Sequence, residues 1–178
     1  MDIWHNVSPG EKSPELVNVV VEIPKGSHNK YEFDKETGLF KLDRVLYSSV
    51  FYPGDYGIIP KTLAEDGDPA DAVVLMNQPT FPGILIEARP VAVLGMIDKG
   101  EKDDKILCVP KDDPRFSHIK DLNDVPKHAL EEIANFFATY KLLEGKKVEI
   151  TGWKNASVAK ATIKECLLRY SQKFPSKK

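Results

Sequence analysis

The sequence predicts a mainly β protein with α-helices: a small barrel or curled sheet, followed by helices packed on it. The first two-thirds holds β-branched and aromatic runs punctuated by Pro and Gly, which reads as strands and turns. The last third carries apolar residues at spacings of three and four, which reads as helices. With 178 residues, 42% of them hydrophobic, the chain fits a single domain over residues 1–178 with a real core.

Asn18 to Ile23 is a β-branched run that ends at Pro24. Tyr31-Glu32-Phe33 follows, then the turn Asp34-Lys35-Glu36-Thr37-Gly38, then Leu39 to Leu42, which pairs back as a hairpin. Ala72 to Met76, Ile84 to Leu94 and Lys105 to Val109 are further strands, set off by Pro60, Pro69, Pro79, Pro82 and Pro110. Asp124-Val125-Pro126 reads as a helix start, with Asp as cap and Pro in the first turn. Leu130, Ile133, Ala134 and Phe137 form its core-facing stripe, and Gly145 ends it. Lys147 to Ile150 is a strand. Asn155 opens a second helix with the stripe Ala159, Ile163, Cys166, Leu167 and Tyr170.

The formal net charge of -2 supplies no positive field to draw in nucleic acid or an anionic membrane. Cys108 and Cys166 are too few and too far apart for a disulfide scaffold or a zinc site. Residues 1–10 show no signal peptide, and the most apolar window, Ile84 to Ile97, is broken by Glu87, Arg89 and Pro90. A soluble cytoplasmic protein is the expectation.

Chemistry concentrates at Asp66-Gly67-Asp68-Pro69-Ala70-Asp71, three carboxylates within six residues. Such a cluster repels itself, and a divalent cation removes the conflict. Carboxylate oxygens suit Mg²⁺, Mn²⁺ or Ca²⁺. An EF-hand is excluded, because its sixth and twelfth positions fall on Asp71 and Asn77 rather than Gly and Glu. Asp98 ends an apolar run, and Asp103 and Lys105 share one face of an extended segment. Glu22 interrupts Val19-Val20-Val21 and needs a facing cation or solvent. Lys30 and Glu32 share a strand face, Arg44 follows Asp43, Tyr52 and Tyr56 flank a turn, and Tyr140-Lys141 close the first helix. Lys, Arg and Tyr are donors to phosphate oxygens. Acids for several metals beside these donors suit a compact, highly charged phosphate substrate. No P-loop, kinase set or G-x-S-x-G elbow is present.

Asp66 to Ala72 resembles the D-x-D-P-x-D signature of soluble family I inorganic pyrophosphatases. Val21 to Pro24, Asn29 to Glu32, Leu42 to Arg44, Phe51 to Gly57, Met96 to Lys105 and Phe136 to Lys141 resemble further blocks of that family, in order. The resemblance runs from Asn18 to Tyr170 and points to the short prokaryotic type. It implies a five-stranded OB-like barrel with flanking helices. It implies Mg²⁺-dependent hydrolysis of pyrophosphate to two phosphates, with Mn²⁺ or Zn²⁺ as substitutes, and a homohexamer. By the same resemblance Asp66, Asp71 and Asp103 hold a first metal, and Asp71 bridges to a second. Asp68 is the general base for a water between them. Asp98 and Asp103 hold a metal that arrives with substrate, and Glu22 and Glu32 reach another. Lys30, Arg44, Tyr56, Lys105, Tyr140 and Lys141 match phosphate ligands, and Tyr52 a supporting tyrosine. Two positions depart from the pattern: Ala70 replaces a larger aliphatic residue, and Lys99 stands where many members have an acid. The rival readings are an OB-type module for single-stranded nucleic acid and a metal-dependent hydrolase of larger phosphates. The acids of the groove oppose the first of these.

Overall fold

In the computed structural model, which describes residues 2–175, five strands close a ring. The strands are β1 (Val17–Ile23), β2 (Asn29–Asp34), β3 (Leu39–Val45), β4 (Asp55–Ile58), β5 (Asp71–Val74), β6 (Leu85–Asp98), β7 (Glu101–Lys102), β8 (Lys105–Pro110) and β9 (Val148–Asn155); the helices are α1 (Lys127–Thr139) and α2 (Ala156–Lys173). Within the ring β1 pairs with β4, β4 with β5, β5 with β8, β8 with β6, and β6 returns to β1. All of these pairings are antiparallel except β5 with β8. This is the five-stranded OB-like barrel with flanking helices that the resemblance implies. β7 and β9 extend the sheet from β6, while β2 and β3 form a separate two-stranded hairpin.

The apolar run of β1 has a physical cause: most of it is covered on both faces. Val17, Val19 and Val21 pack with Ala72, Val93, Ile106 and the α2 residues Ala159 and Ile163. Ile23 faces the other way, into a cluster of Tyr52, Tyr56, Leu94 and Leu107 with Ile133, Phe136 and Phe137 of α1. Burying one such side chain contributes about 1.5–3 kcal/mol, so the two helix stripes hold the helices against the barrel. Gly57 lets β4 approach β1: a Cβ there would lie 2.0 Å from the Val20 carbonyl oxygen. A third cluster, Ile3, Trp4, Val20, Ile58 and Leu63, joins the N-terminal segment to the barrel. No helix among the described residues is long and apolar enough to cross a membrane.

Several elements differ from the sequence reading. Asp55 to Gly57, read as part of a turn flanked by Tyr52 and Tyr56, belong to the strand β4, because β1 and β5 flank it on either side. The hairpin strands are longer, so β2 begins at Asn29 and β3 carries Arg44. Asp124 does not cap α1. It closes a capping box with Asp121 on a preceding 3-10 turn, and Pro126 precedes the helix without a side-chain cap. α1 ends at Thr139 rather than near Gly145, and Leu142–Glu144 form a separate 3-10 turn. Asn155 caps α2 as read, its side chain accepting from the Val158 N–H.

Candidate active site

The residues singled out by chemistry line one cleft of about 880 Å³, with the exception of Tyr52, which lies buried behind it. The barrel builds one wall. Asp71 opens β5 directly opposite Lys105 at the start of β8, and the period of two puts Asp103 on the same side. The Lys105 ammonium donates to Asp71 Oδ2 at 2.5 Å and also to Asp103. Asp66 accepts the Asp68 N–H at 3.1 Å, which folds the acidic turn toward Asp71. Asp68 itself is exposed, and among the described residues no protein donor holds its carboxylate.

β6 carries Asp98 to the rim, and the Lys99-Gly100 turn reverses the chain into β7. Both turn residues have positive φ, 52° and 85°, as a two-residue hairpin turn requires. Lys141, just beyond α1, donates to Asp98 Oδ2 at 2.5 Å. Behind the cleft lies an aromatic cluster of which Tyr56 and Tyr140 reach the lining: Tyr52, Tyr56, Phe136, Phe137 and Tyr140 have adjacent ring centroids 4.8–6.1 Å apart. The hairpin builds the opposite wall. Lys30 lies beside Arg44 in the β2–β3 pairing and contacts Glu32 and Asp43. Glu22, near the end of β1, is 8% exposed and accepts the Phe33 N–H at 3.0 Å.

Crowded acids under partial burial are reluctant to ionise. Burial lifts Glu22 to about 7, with Asp71 adding to the shift and the Phe33 N–H opposing it. Burial likewise lifts Asp103 to about 6; Lys105 opposes the shift and Asp71 adds to it. Asp66 rises for the same first reason. Burial works to lower Lys105, but Asp71 and Asp103 outweigh it and hold the ammonium charged. Tyr52 and Tyr56 are pushed well up by burial and remain neutral donors.

Among the described residues no three His, Cys, Asp or Glu side chains close on one point as a ready metal cage. The geometry gives the reason: Lys105 occupies the position between Asp71 and Asp103, and Lys141 takes one oxygen of Asp98. The other Asp98 oxygen, Oδ1, is buried without a partner. An orphaned carboxylate oxygen in a cleft that Asp66, Asp71 and Asp103 also line is a donor set that a hard divalent cation completes, so the residues fit such a cation.

Sequence reasoning passed over Glu144 and Trp4. Trp4 lines the cleft with Lys35 stacked 4.1 Å from its ring, and its indole N–H donates to the Thr62 carbonyl at 2.7 Å. The Glu144 side chain is 5% exposed and accepts from Arg44 across 100 positions of sequence. No local pattern announces a pairing that distant.

Residues 19–171 match the family model described as Inorganic pyrophosphatase. A Synechocystis protein named inorganic pyrophosphatase is 56% identical over 162 residues, 91% of this chain and 96% of its own length. A namesake from Haloferax volcanii is 49% identical over 175 residues, covering 98% of this chain and 99% of its own. The crystal structure of inorganic pyrophosphatase from Thermus thermophilus superposes with a TM-score of 0.92 at 46% identity, covering 96% of this chain and 99% of that one.

Proposed function

The chain belongs to the inorganic pyrophosphatase family, and from that premise we propose that its cleft hydrolyses inorganic pyrophosphate to two orthophosphates with Mg²⁺ bound by the carboxylates. The observation that carries the reading is the meeting, in one cleft, of a cluster of acids, with Glu22 lifted by burial to about 7 and Asp103 to about 6, and the donors Lys30, Arg44, Lys105, Lys141, Tyr56 and Tyr140.

Asp66, Asp71, Asp98 and Asp103 would hold the cations, with Glu22 and Glu32 reaching outer ones. Bound there, Mg²⁺ supplies Lewis acidity toward phosphate and a lowered pKa for water. Asp68 accepts the proton of the attacking water, a role for which its unpaired, exposed carboxylate suits it. Lys105 and Lys141, here bound to carboxylates, would offer their ammonium groups to phosphate oxygens. Lys30 and Arg44 disperse charge on the phosphoryl group from the hairpin side, where Arg offers a planar fork and Lys a point charge. Tyr56 and Tyr140 donate their hydroxyls. Tyr52 supports Tyr56, its ring centroid 5.4 Å away.

The test is phosphate release from pyrophosphate across a Mg²⁺ titration, with an EDTA control and ATP as comparison substrate. Fast release that needs Mg²⁺ and spares ATP supports the reading; no release from folded protein refutes it. We extend the family reading to assembly as a homohexamer. Exposed Phe51, Phe81 and Leu85 offer apolar surface for it, and sedimentation at micromolar protein tests it.

A further inference from the structure

Arg44 stands on the hairpin wall, near the end of β3, and two of its donors are already committed. Nε donates to Glu144 Oε1 at 2.9 Å, and Nη1 donates to Asp43 Oδ2 at 2.6 Å. The rest of the guanidinium fork is left for a phosphate. Glu144 is not part of the cleft lining. It lies behind Arg44, and its second oxygen takes Lys146 at 3.0 Å.

The backbone around Glu144 is tied to the opposite side of the cleft. Its N–H donates to the Lys141 carbonyl at 3.0 Å, and the Lys146 N–H donates to the same oxygen at 3.2 Å. Lys141 in turn reaches Asp98. A continuous chain of polar contacts therefore runs from Asp98 through Lys141 and the 3-10 turn to Glu144, and on to Arg44 and Asp43. The hairpin is a separate sheet, so its cations need an external reference to face a substrate held by the barrel. A long, rotamer-rich Arg gains most from such a reference, because the cost of ordering it is met before substrate arrives.

We propose that Glu144 is a positioning residue: it fixes the Arg44 guanidinium in register with the barrel wall, so that the remaining fork meets the substrate phosphate already oriented. The inference rests on the pyrophosphatase reading of the cleft. Glu144 touches no substrate and acts through Arg44 alone. Its contribution therefore vanishes when Arg44 is absent, which separates positioning from a general structural ion pair.

The experiment measures pyrophosphate hydrolysis at fixed Mg²⁺ for the full chain, with KM and kcat resolved and thermal midpoints recorded. The variants are Glu144→Ala, Glu144→Gln, Arg44→Ala and the Ala double. Glu144→Ala is expected to lower kcat/KM about tenfold, mainly through KM, as expected for loss of one preorganised charge-assisted contact. Glu144→Gln keeps an acceptor for Nε and is expected to recover most of that loss. The double variant is expected to be no worse than Arg44→Ala. Should Glu144→Ala fail to fold, Glu144→Asp carries the test: it withdraws the acceptor by one methylene and is expected to raise KM with kcat held. Kinetics within twofold of the parent for the Ala or Asp variant, or losses that multiply in the double, overturn the proposal while leaving the pyrophosphatase reading intact. Absence of hydrolysis by the parent chain overturns both.

Discussion

On the barrel side of the cleft, Lys105 is 3% exposed between Asp71 and Asp103, and β4, β5 and β8 around it are buried almost throughout. On the hairpin side, β2 and β3 contain no fully buried residue, and Lys30, Arg44 and Asp43 keep side chains 18–31% exposed. The same residue types thus work under different rules. A charge in the barrel wall must have a partner, since desolvation makes an orphan costly. Lys30 on the hairpin can leave its carboxylate partners for a phosphate at little cost, since solvent already screens those pairs, whereas Arg44 keeps its nearly buried partner Glu144. The first arrangement stores tension that a bound divalent cation would relieve, and the second provides a lysine that can be redirected beside an arginine held in place.

The largest expected effect belongs to Asp68, a cleft acid whose carboxylate accepts no hydrogen bond among the described residues. Asp68→Asn should lower kcat by ~10² to 10⁴ while leaving the thermal midpoint near that of the parent, because the residue is exposed; near-normal turnover would remove it as the base. Next is Lys105→Met. It leaves Asp71 and Asp103 facing one another without their cation, and in EDTA it should cost ~3 kcal/mol by urea unfolding. Added Mg²⁺ should restore most of that stability, and a variant equally stable with and without Mg²⁺ would contradict the metal reading.

A third test uses pH on metal-free protein. Glu22 titrates near 7 when folded against 4.5 as its ordinary value. Between these values the unfolded chain has lost the proton that the folded chain retains, so stability falls as pH rises from about 4.5 to about 7 and levels off beyond. The expected drop is ~3 kcal/mol. Asp103, lifted to about 6, deepens the lower part of the same window. Urea midpoints at pH 5 and pH 7.5 should differ in EDTA, and the gap should shrink in Glu22→Gln. On the hairpin, Arg44→Lys should raise KM by ~10-fold because a point charge replaces a planar fork, with stability nearly unchanged. The smallest effect is expected of Leu39→Ser at the 67% exposed hairpin tip, within ~0.5 kcal/mol by thermal unfolding.

The legible parts of the sequence were those with local causes. Asp66 to Asp71 declared itself because turn residues and acids are neighbours in the chain. Asp103 and Lys105 declared a shared face through the period of two, and the α2 cap and stripe followed from side-chain chemistry at fixed spacing. The barrel ring and the roles of the scattered cations came instead from resemblance to a family. β4 was missed because Asp55-Tyr56-Gly57-Ile58 has little strand propensity of its own; its conformation comes from strands on either side. The start of α1 was misplaced because Asp124 finds its partner in Asp121 rather than in the helix. Glu144 was invisible because its meaning lies 100 positions away, in Arg44.

The closing pair of the ring, β1 with β6, joins Val17 to Ala88, and β6 then takes its remaining partners from β7, β8 and β9 as far along as Asn155. A chain emerging from the ribosome therefore cannot complete the barrel until β6 and β8 have both left the exit tunnel. Contacts this distant slow folding, because a long loop must be closed before it is rewarded. During that interval the acids of β5 and its preceding turn wait in solvent, and burial lifts Asp66 above its ordinary carboxylate value only once the barrel closes. The electrostatic tension that defines the mature cleft comes into being only with the last strands.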